Sequence, residues 1–248
     1  MRARRYDAGV NAPPGPPDAQ AEPGTTKPAP TSTALAERRA RRKANRRAHI
    51  LAVALASIEE RGLKGATFEL IASRAGVSRG TVFNYFPTKE SMLVAYFGEQ
   101  LELLALRLRR RRRRAGFDGL SEIAYLFDEL ADFVAGHHQL ILPISFELLD
   151  PNEERSRAAF LALPLVPLLR DAIRRAQGEG GLRSDHSPER LARTLANVYF
   201  ITALQWAAYR RDRSVHEEFR LALKLSLEGM CCAGAAGSGG AAERAPGG

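Results

Sequence analysis

Thr67-Phe-Glu-Leu-Ile-Ala-Ser-Arg-Ala-Gly-Val-Ser-Arg-Gly-Thr-Val-Phe-Asn-Tyr-Phe86 reads as two short helices joined by a tight turn. Thr67 is a capping residue for a helix running to Ala75. Two helices crossing at a sharp angle need a small residue at the crossing, which Ala72 supplies. The turn favours a left-handed residue, and Gly76 adopts that conformation without steric cost. Ile71, Ala75, Val77, Val82 and Phe86 then face inward, leaving Arg79, Gly80, Thr81, Phe83 and Asn84 outward. A helix that exposes its first residues can enter a DNA major groove, where Arg donates to guanine and Asn pairs with adenine.

Working outward, Asn45 to Arg61 predicts a helix with Leu51, Ala54, Leu55 and Ile58 on one stripe, stopped at Gly62 and Gly65. Its start is open, since Leu35 to Arg47 is also made of good helix formers. Thr88 can cap a long helix through Leu93, Phe97, Leu101, Leu104 and Leu108. Beyond Gly116, Ile123, Phe127, Leu130 and Val134 form a further stripe, and Leu140 to Leu149 a shorter apolar segment. Pro164 and Pro167 break or kink the next helix, which stops at Gly178. Ser187-Pro188 places a cap and an N1 proline before another helix, and Ser214 with Glu217 a capping box before the last. The expectation is an all-α chain of about nine helices: an N-terminal three-helix domain joined by a long fourth helix to a helical C-terminal domain.

Residues 1–47 carry eleven Lys/Arg against four Asp/Glu, whereas residues 117–230 carry thirteen against seventeen. A basic first half on a mildly acidic second half suits a polyanion-binding module joined to something that is not one. The Pro/Ala/Gly-rich start and Gly/Ala-rich end bury too little to order themselves, so 1–43 and 231–248 are expected to be disordered, flanking domains at 44–104 and 105–230. Two adjacent cysteines, Cys231 and Cys232, make neither a disulfide framework nor a zinc site. No apolar run approaches a membrane span, and no hydrophobic segment follows the N-terminal arginines as a signal peptide requires. The expected setting is the cytoplasm, in association with the nucleoid.

At this point the chain resembles the tetracycline-repressor-type (TetR/AcrR) regulators. The residues that carry the likeness are Ile71-Ala72, Ala75-Gly76-Val77-Ser78, Gly80-Thr81, Asn84-Tyr85-Phe86 and Lys89-Glu90, within a match from Ala44 to Leu104. The resemblance implies an all-helical homodimer whose N-terminal heads bind a palindromic operator duplex. It also implies a C-terminal pocket for a small-molecule effector that moves the fourth helix and releases the DNA. Repression rather than activation rests on the resemblance alone, and neither cofactor, catalysis nor metal is expected. Arg79 and Asn84 become the base-reading candidates. Thr67, Ser78, Gly80, Thr81, Phe83, Tyr85 and Lys89 complete the DNA-facing set, with phosphate contact from Ser78, Thr81, Tyr85 and Lys89. Relatives usually carry Tyr where this chain has Phe83, which removes one phosphate-directed hydroxyl.

Other features are open to competing readings. Arg38, Arg39, Arg41, Arg42, Lys43, Arg46 and Arg47 precede the reading head and suit a minor-groove or phosphate-tracking arm, or a solvated tail. Arg107 to Arg114 lies about 30 Å beyond Lys89 along a straight helix, away from a bound duplex. Solvation and the helix C-terminus account for it, the alternative being an anionic effector such as an acyl-coenzyme A. Gly76-Val77-Ser78-Arg79-Gly80 matches a nucleophile elbow literally, but a helix rather than a strand leads into it. His137, His138, His186 and His216 show no ligand spacing. Phe127, Phe133, Phe146, Tyr199 and Trp206 are candidate lining for the effector cavity, and the helices from Ser187 to Met230 for the dimer interface. The competing function is an effector-independent, nucleoid-type DNA-binding protein.

Overall fold

The computed structural model describes residues 32–230. The chain forms two units, one ending at Lys43 and one from Ala44 onward. In the first, the described residues are helical, because the opening helix, α1, spans Ser32–Gly65. The expectation of disorder up to residue 43 is therefore corrected for residues 32–43, where Ala, Arg and Glu are strong helix formers. Residues 1–31, Cys231 and Cys232, and the 231–248 tail lie outside the described residues, and with them the expectations placed there.

The second unit begins with α1's apolar stripe. Ile50, Leu51 and Ala54 are fully or almost fully buried, and the helix is interrupted at Gly62 (φ 70°, ψ 169°), a backbone region essentially reserved for glycine. The buried residues of α2 (Phe68–Ala75) and α3 (Arg79–Tyr85) belong to the same hydrophobic core, and Arg74 ties α2 to α1. Next comes α4 (Lys89–Arg111), capped by Thr88 and buried along Leu93, Phe97, Leu101, Leu104 and Leu108. It crosses the expected 104/105 boundary and so belongs to both halves.

The remainder is α5 (Gly119–Gly136), α6 (His138–Leu148), α7 (Glu153–Leu161), α8 (Leu165–Gly178), α9 (Pro188–Tyr209) and α10 (Val215–Glu228). That makes ten helices and no strand among the described residues, one more helix than expected. The extra helix is α7, whose mixed composition gives little apolar periodicity and whose start is set by the Asn152 cap. Pro164 separates α7 from α8, and Ser187 caps α9 ahead of Pro188 as expected. In the packing, α5 lies against α8 and α10, α9 against α8 and α10, and α6 against both α4 and α9. The fourth helix thus touches the helices of the second half directly.

One polar cluster anchors the far end of α4. Glu122 of α5 is completely buried and accepts from Arg112, at the C-cap of α4, and from Arg175 of α8. Arg107 pairs with Glu129 at 2.7 Å, and the Arg111 guanidinium lies 4.2 Å over the Tyr125 ring. Three arginines of the 107–114 run therefore have specific partners, and solvation describes only the rest.

Candidate nucleic-acid interface and effector cavity

The turn between α2 and α3 is built as its residues dictate. The Thr67 hydroxyl accepts from Leu70 N at 3.2 Å and starts α2. Gly76 ends it in the left-handed region (φ 64°, ψ 35°), and Val77 N donates back to Ala72 O at 3.0 Å. Ser78 then caps α3, accepting from Thr81 N at 3.1 Å, with the two hydroxyls 2.9 Å apart. Gly76–Gly80 is consequently a helix-to-helix turn with a capping serine, which is not the geometry of a nucleophile elbow.

Val82 and Phe86 anchor α3 inward, while Arg79, Gly80, Phe83 and Asn84 are exposed. At helical spacing, 79 and 83 fall on one stripe and 80 and 84 on the next, so the four make one outward face. Phe83 is 56% exposed and rests against Phe68, with ring centroids 6.4 Å apart. Thr81 and Tyr85 are half-buried at the edges of this face.

Several candidate side chains already have partners within the head. Arg79 Nε meets Glu69 Oε1 at 3.0 Å, an ion pair exposed on both sides. Lys89 donates to the Leu63 carbonyl near the end of α1, so it ties α4 to α1. Arg46 is exposed, whereas the Arg47 guanidinium sits 4.8 Å over the Phe86 ring. Sequence reasoning missed Arg74, which reaches Glu60 at 2.6 Å and Ser57 Oγ at 3.2 Å and locks α2 to α1. The buried Ser57 on the inner stripe of α1 was the available signal. That contact holds the Glu60 carboxyl below its usual range, chiefly through the Arg74 hydrogen bond.

A cavity of about 790 Å³ opens between α4, α6 and α9, within the usual range for small-molecule sites. Its walls are mostly apolar, from Phe97, Ile144, Leu148, Val166 and Phe200, with Arg193 and Asn197 among the few polar groups. Of the five aromatic residues expected to line an effector site, Phe133 and Tyr199 line this cavity. Burial pushes the Tyr199 hydroxyl well above its usual range, so it stays protonated. The other three lie outside it. Phe146 is 70% exposed, because α6 turns Ile144, Ser145 and Leu148 inward and leaves 146 outside. Phe127 packs on Phe219 beside a separate groove between α5 and α10. Trp206 is fixed by its Nε1–H, which donates to Arg213 O at 2.8 Å. No cluster of metal-ligand type occurs among the described residues. Nor is any described helix long and apolar enough to cross a membrane.

The head and the cavity together define a helix-turn-helix regulator built on an all-α frame. Residues 50–96 match the family of bacterial regulatory proteins of the tetR type, and residues 100–229 match the C-terminal domain of TetR/AcrR family transcriptional repressors. The chain belongs to the TetR/AcrR family of transcriptional regulators.

Among solved structures it is similar to Thermus thermophilus FadR, a TetR-family transcriptional repressor in complex with lauroyl-CoA. The two share 40% identity over 82% of this chain and all of that one, with a TM-score of 0.70. FadR of Bacillus subtilis, at 21% identity over 73% of this chain and 98% of that one and a TM-score of 0.58, shares the fold. Among curated relatives, the regulator BetI of Paraburkholderia phytofirmans is 38% identical over 78 residues, which is 32% of this chain and 40% of its own length. The repressor KstR2 of Rhodococcus jostii is 26% identical over 70% of this chain and 84% of its own length.

Proposed function

We propose that this chain is a homodimeric repressor released from a palindromic operator by a long-chain acyl thioester held in the α4–α6–α9 cavity. The observation that carries the ligand class is the cavity itself. Its apolar walls and volume suit an alkyl chain, while the exposed Arg193 at its rim suits an anionic head. The similarity to a repressor bound to lauroyl-CoA supports the same class. The operator is read by Arg79 and Asn84, with phosphates contacted by Ser78, Thr81 and Tyr85 and by the remaining donors of Lys89 and Arg46.

Dimerisation uses the outer face of α9 and α10, where Leu221 and Leu225 stand exposed one turn apart and share a groove with Thr202 and Gln205 of α9. A protein with this role acts in the cytoplasm. The test has two stages. Duplexes selected from a random library by the purified chain should converge on a short palindrome. Lauroyl-CoA should then dissociate that duplex at micromolar concentration, whereas free coenzyme A should not. Even coverage of all sequences supports a packaging role and overturns the proposal.

A further inference from the structure

We infer that Glu147 is a positioning residue which holds the reading head in place by gripping the first turn of α4, and lets go when the cavity wall moves. The inference rests on the regulator reading above and adds to it the side chains through which ligand and operator communicate. The Thr88 hydroxyl donates to Glu147 Oε2 at 2.8 Å while accepting from Ser91 N at 2.9 Å. One hydroxyl therefore both caps α4 and ties that cap to α6. Glu147 is only 5% exposed and also receives Arg155 of α7 at 3.0 Å. Arg155 in turn has its Nε buried without a hydrogen-bond partner among the described residues. Arg155 is itself 37% exposed and also pairs with Asp150 at 3.1 Å, so Glu147 keeps a cation beside it when Thr88 lets go.

The position of Glu147 on its helix makes the contact sensitive to the cavity. Ile144, Ser145 and Leu148 of the same helical turn line the cavity wall. Residues of one turn move together, so a shift of about 1 Å in that wall takes a 2.8 Å hydrogen bond outside bonding range. The consequence reaches the head through the next residue, Lys89, which donates to the Leu63 carbonyl of α1.

The other end of α4 is built differently. There Arg112 and Arg175 meet the fully buried Glu122, an arrangement costly to break because it would leave a charge unpaired away from water. Between the two ends, Gly98 allows the chain at Ala162 to approach so closely that an added Cβ would lie 2.6 Å from the Ala162 oxygen. The helix thus has a fixed end at Arg112 and a releasable end at Thr88.

The experiment is a charge cycle at the releasable end of the full-length chain. Thr88→Asp keeps a good N-cap but sets a carboxylate against Glu147. Adding Glu147→Gln restores a donor opposite that carboxylate. Without ligand, Thr88→Asp should weaken operator binding by about fivefold or more, and the double variant should recover most of it. Glu147→Met, which deletes the acceptor and spares the cap, should weaken binding in the same direction. With lauroyl-CoA as probe, Thr88→Asp should bind it more tightly and show a smaller ligand-induced loss of operator, as reciprocity between sites requires.

Unchanged operator affinity in Thr88→Asp overturns the inference, as does a loss that the double variant does not repair. So does lowered thermal stability with wild-type coupling between ligand and operator, since that is the result of a merely structural contact. If lauroyl-CoA fails to bind the wild-type chain, the ligand class proposed above is wrong, and the ligand-free cycle still decides the role of Glu147.

Discussion

Arg79 of α3 is held by Glu69 of the preceding helix, Nε to Oε1 at 3.0 Å, on the exposed face proposed to read the operator. Both side chains are largely exposed, so the pair adds little to stability. Under the proposed reading its effect falls on binding, because the guanidinium must leave a carboxylate before it can donate to a base edge. Glu69→Gln is expected to tighten operator binding by roughly 0.5–1 kcal/mol, by removing both the competitor and a negative charge near the phosphates. Arg79→Ala is expected to weaken binding by about 1–3 kcal/mol and to relax specificity at one base pair. Titration of a labelled operator duplex by anisotropy checks both. Weaker binding by Glu69→Gln would show instead that Glu69 pre-orients the arginine.

Gly80 presents a sharper division between folding and function. A Cβ there would meet only Ser78 Oγ at 3.9 Å, so packing places no demand for glycine in the second position of α3. Gly80→Ala should leave thermal stability unchanged or raise it by up to about 1 kcal/mol through helix propensity. If the absent side chain serves close approach of the duplex, operator affinity should nevertheless fall at least severalfold. Retained affinity together with raised stability would remove Gly80 from the interface.

The head was legible in the sequence because each of its signals is local. Thr67, Gly76 and Ser78 cap or turn the chain within four residues of where they stand, and their hydrogen bonds follow the spacing. The cavity was less so. Phe133 and Tyr199 reach it and Phe146 does not, yet all three are aromatic residues on apolar helices. Which of α6's sides faces α9 is set by tertiary packing, and Leu142 and Phe146 leave an apolar outer stripe that obscures the choice. Glu122 and Glu147 were illegible for a related reason. A buried carboxylate on a helix is recognised by its partners, and Arg112, Arg175, Thr88 and Arg155 lie between 8 and 59 residues away in the chain.

Burial of Glu122 makes the far end of α4 a test of stability rather than of recognition. Glu122→Ala leaves Arg112 and Arg175 facing each other without the carboxylate, a situation that typically costs about 3–5 kcal/mol. The midpoint of chemical unfolding should fall accordingly. A loss below about 1 kcal/mol would mean that water reaches the two guanidinium groups readily.

Asp118 gives the fold one identifiable acid sensitivity. Its carboxylate caps α5, accepting from Ser121 N at 2.7 Å, and this hydrogen bond is the main reason its pKa lies below the ordinary value of 3.8. A carboxyl with a depressed folded-state pKa adds stability above its unfolded value, and that stability is lost as pH falls through the folded one. Asp118→Asn keeps a capping oxygen without the titration. Wild type should therefore melt slightly higher than the variant at neutral pH, with the gap closing below about pH 4. A gap that stays constant into acid would assign the cap's contribution to geometry alone.

The cavity and the reading face can be separated by filling one of them. Ala196 of α9 lines the cavity and is half-buried, with Phe200 one turn further along the same helix. A Trp at this position puts an indole into space that an alkyl chain would occupy, while every residue of the α2–α3 face is left unaltered. Ala196→Trp should keep ligand-free operator affinity within about twofold of wild type and raise the lauroyl-CoA concentration needed for release by tenfold or more, equivalent to about 1.4 kcal/mol. Overpacking costs about 1–3 kcal/mol where a site is already full, so an unchanged unfolding midpoint would itself show that the space is empty in the folded protein. Unaltered release by lauroyl-CoA in a stably folded variant would mean that the ligand binds elsewhere, and the groove beside Phe127, Phe219 and Leu223 becomes the next site to block.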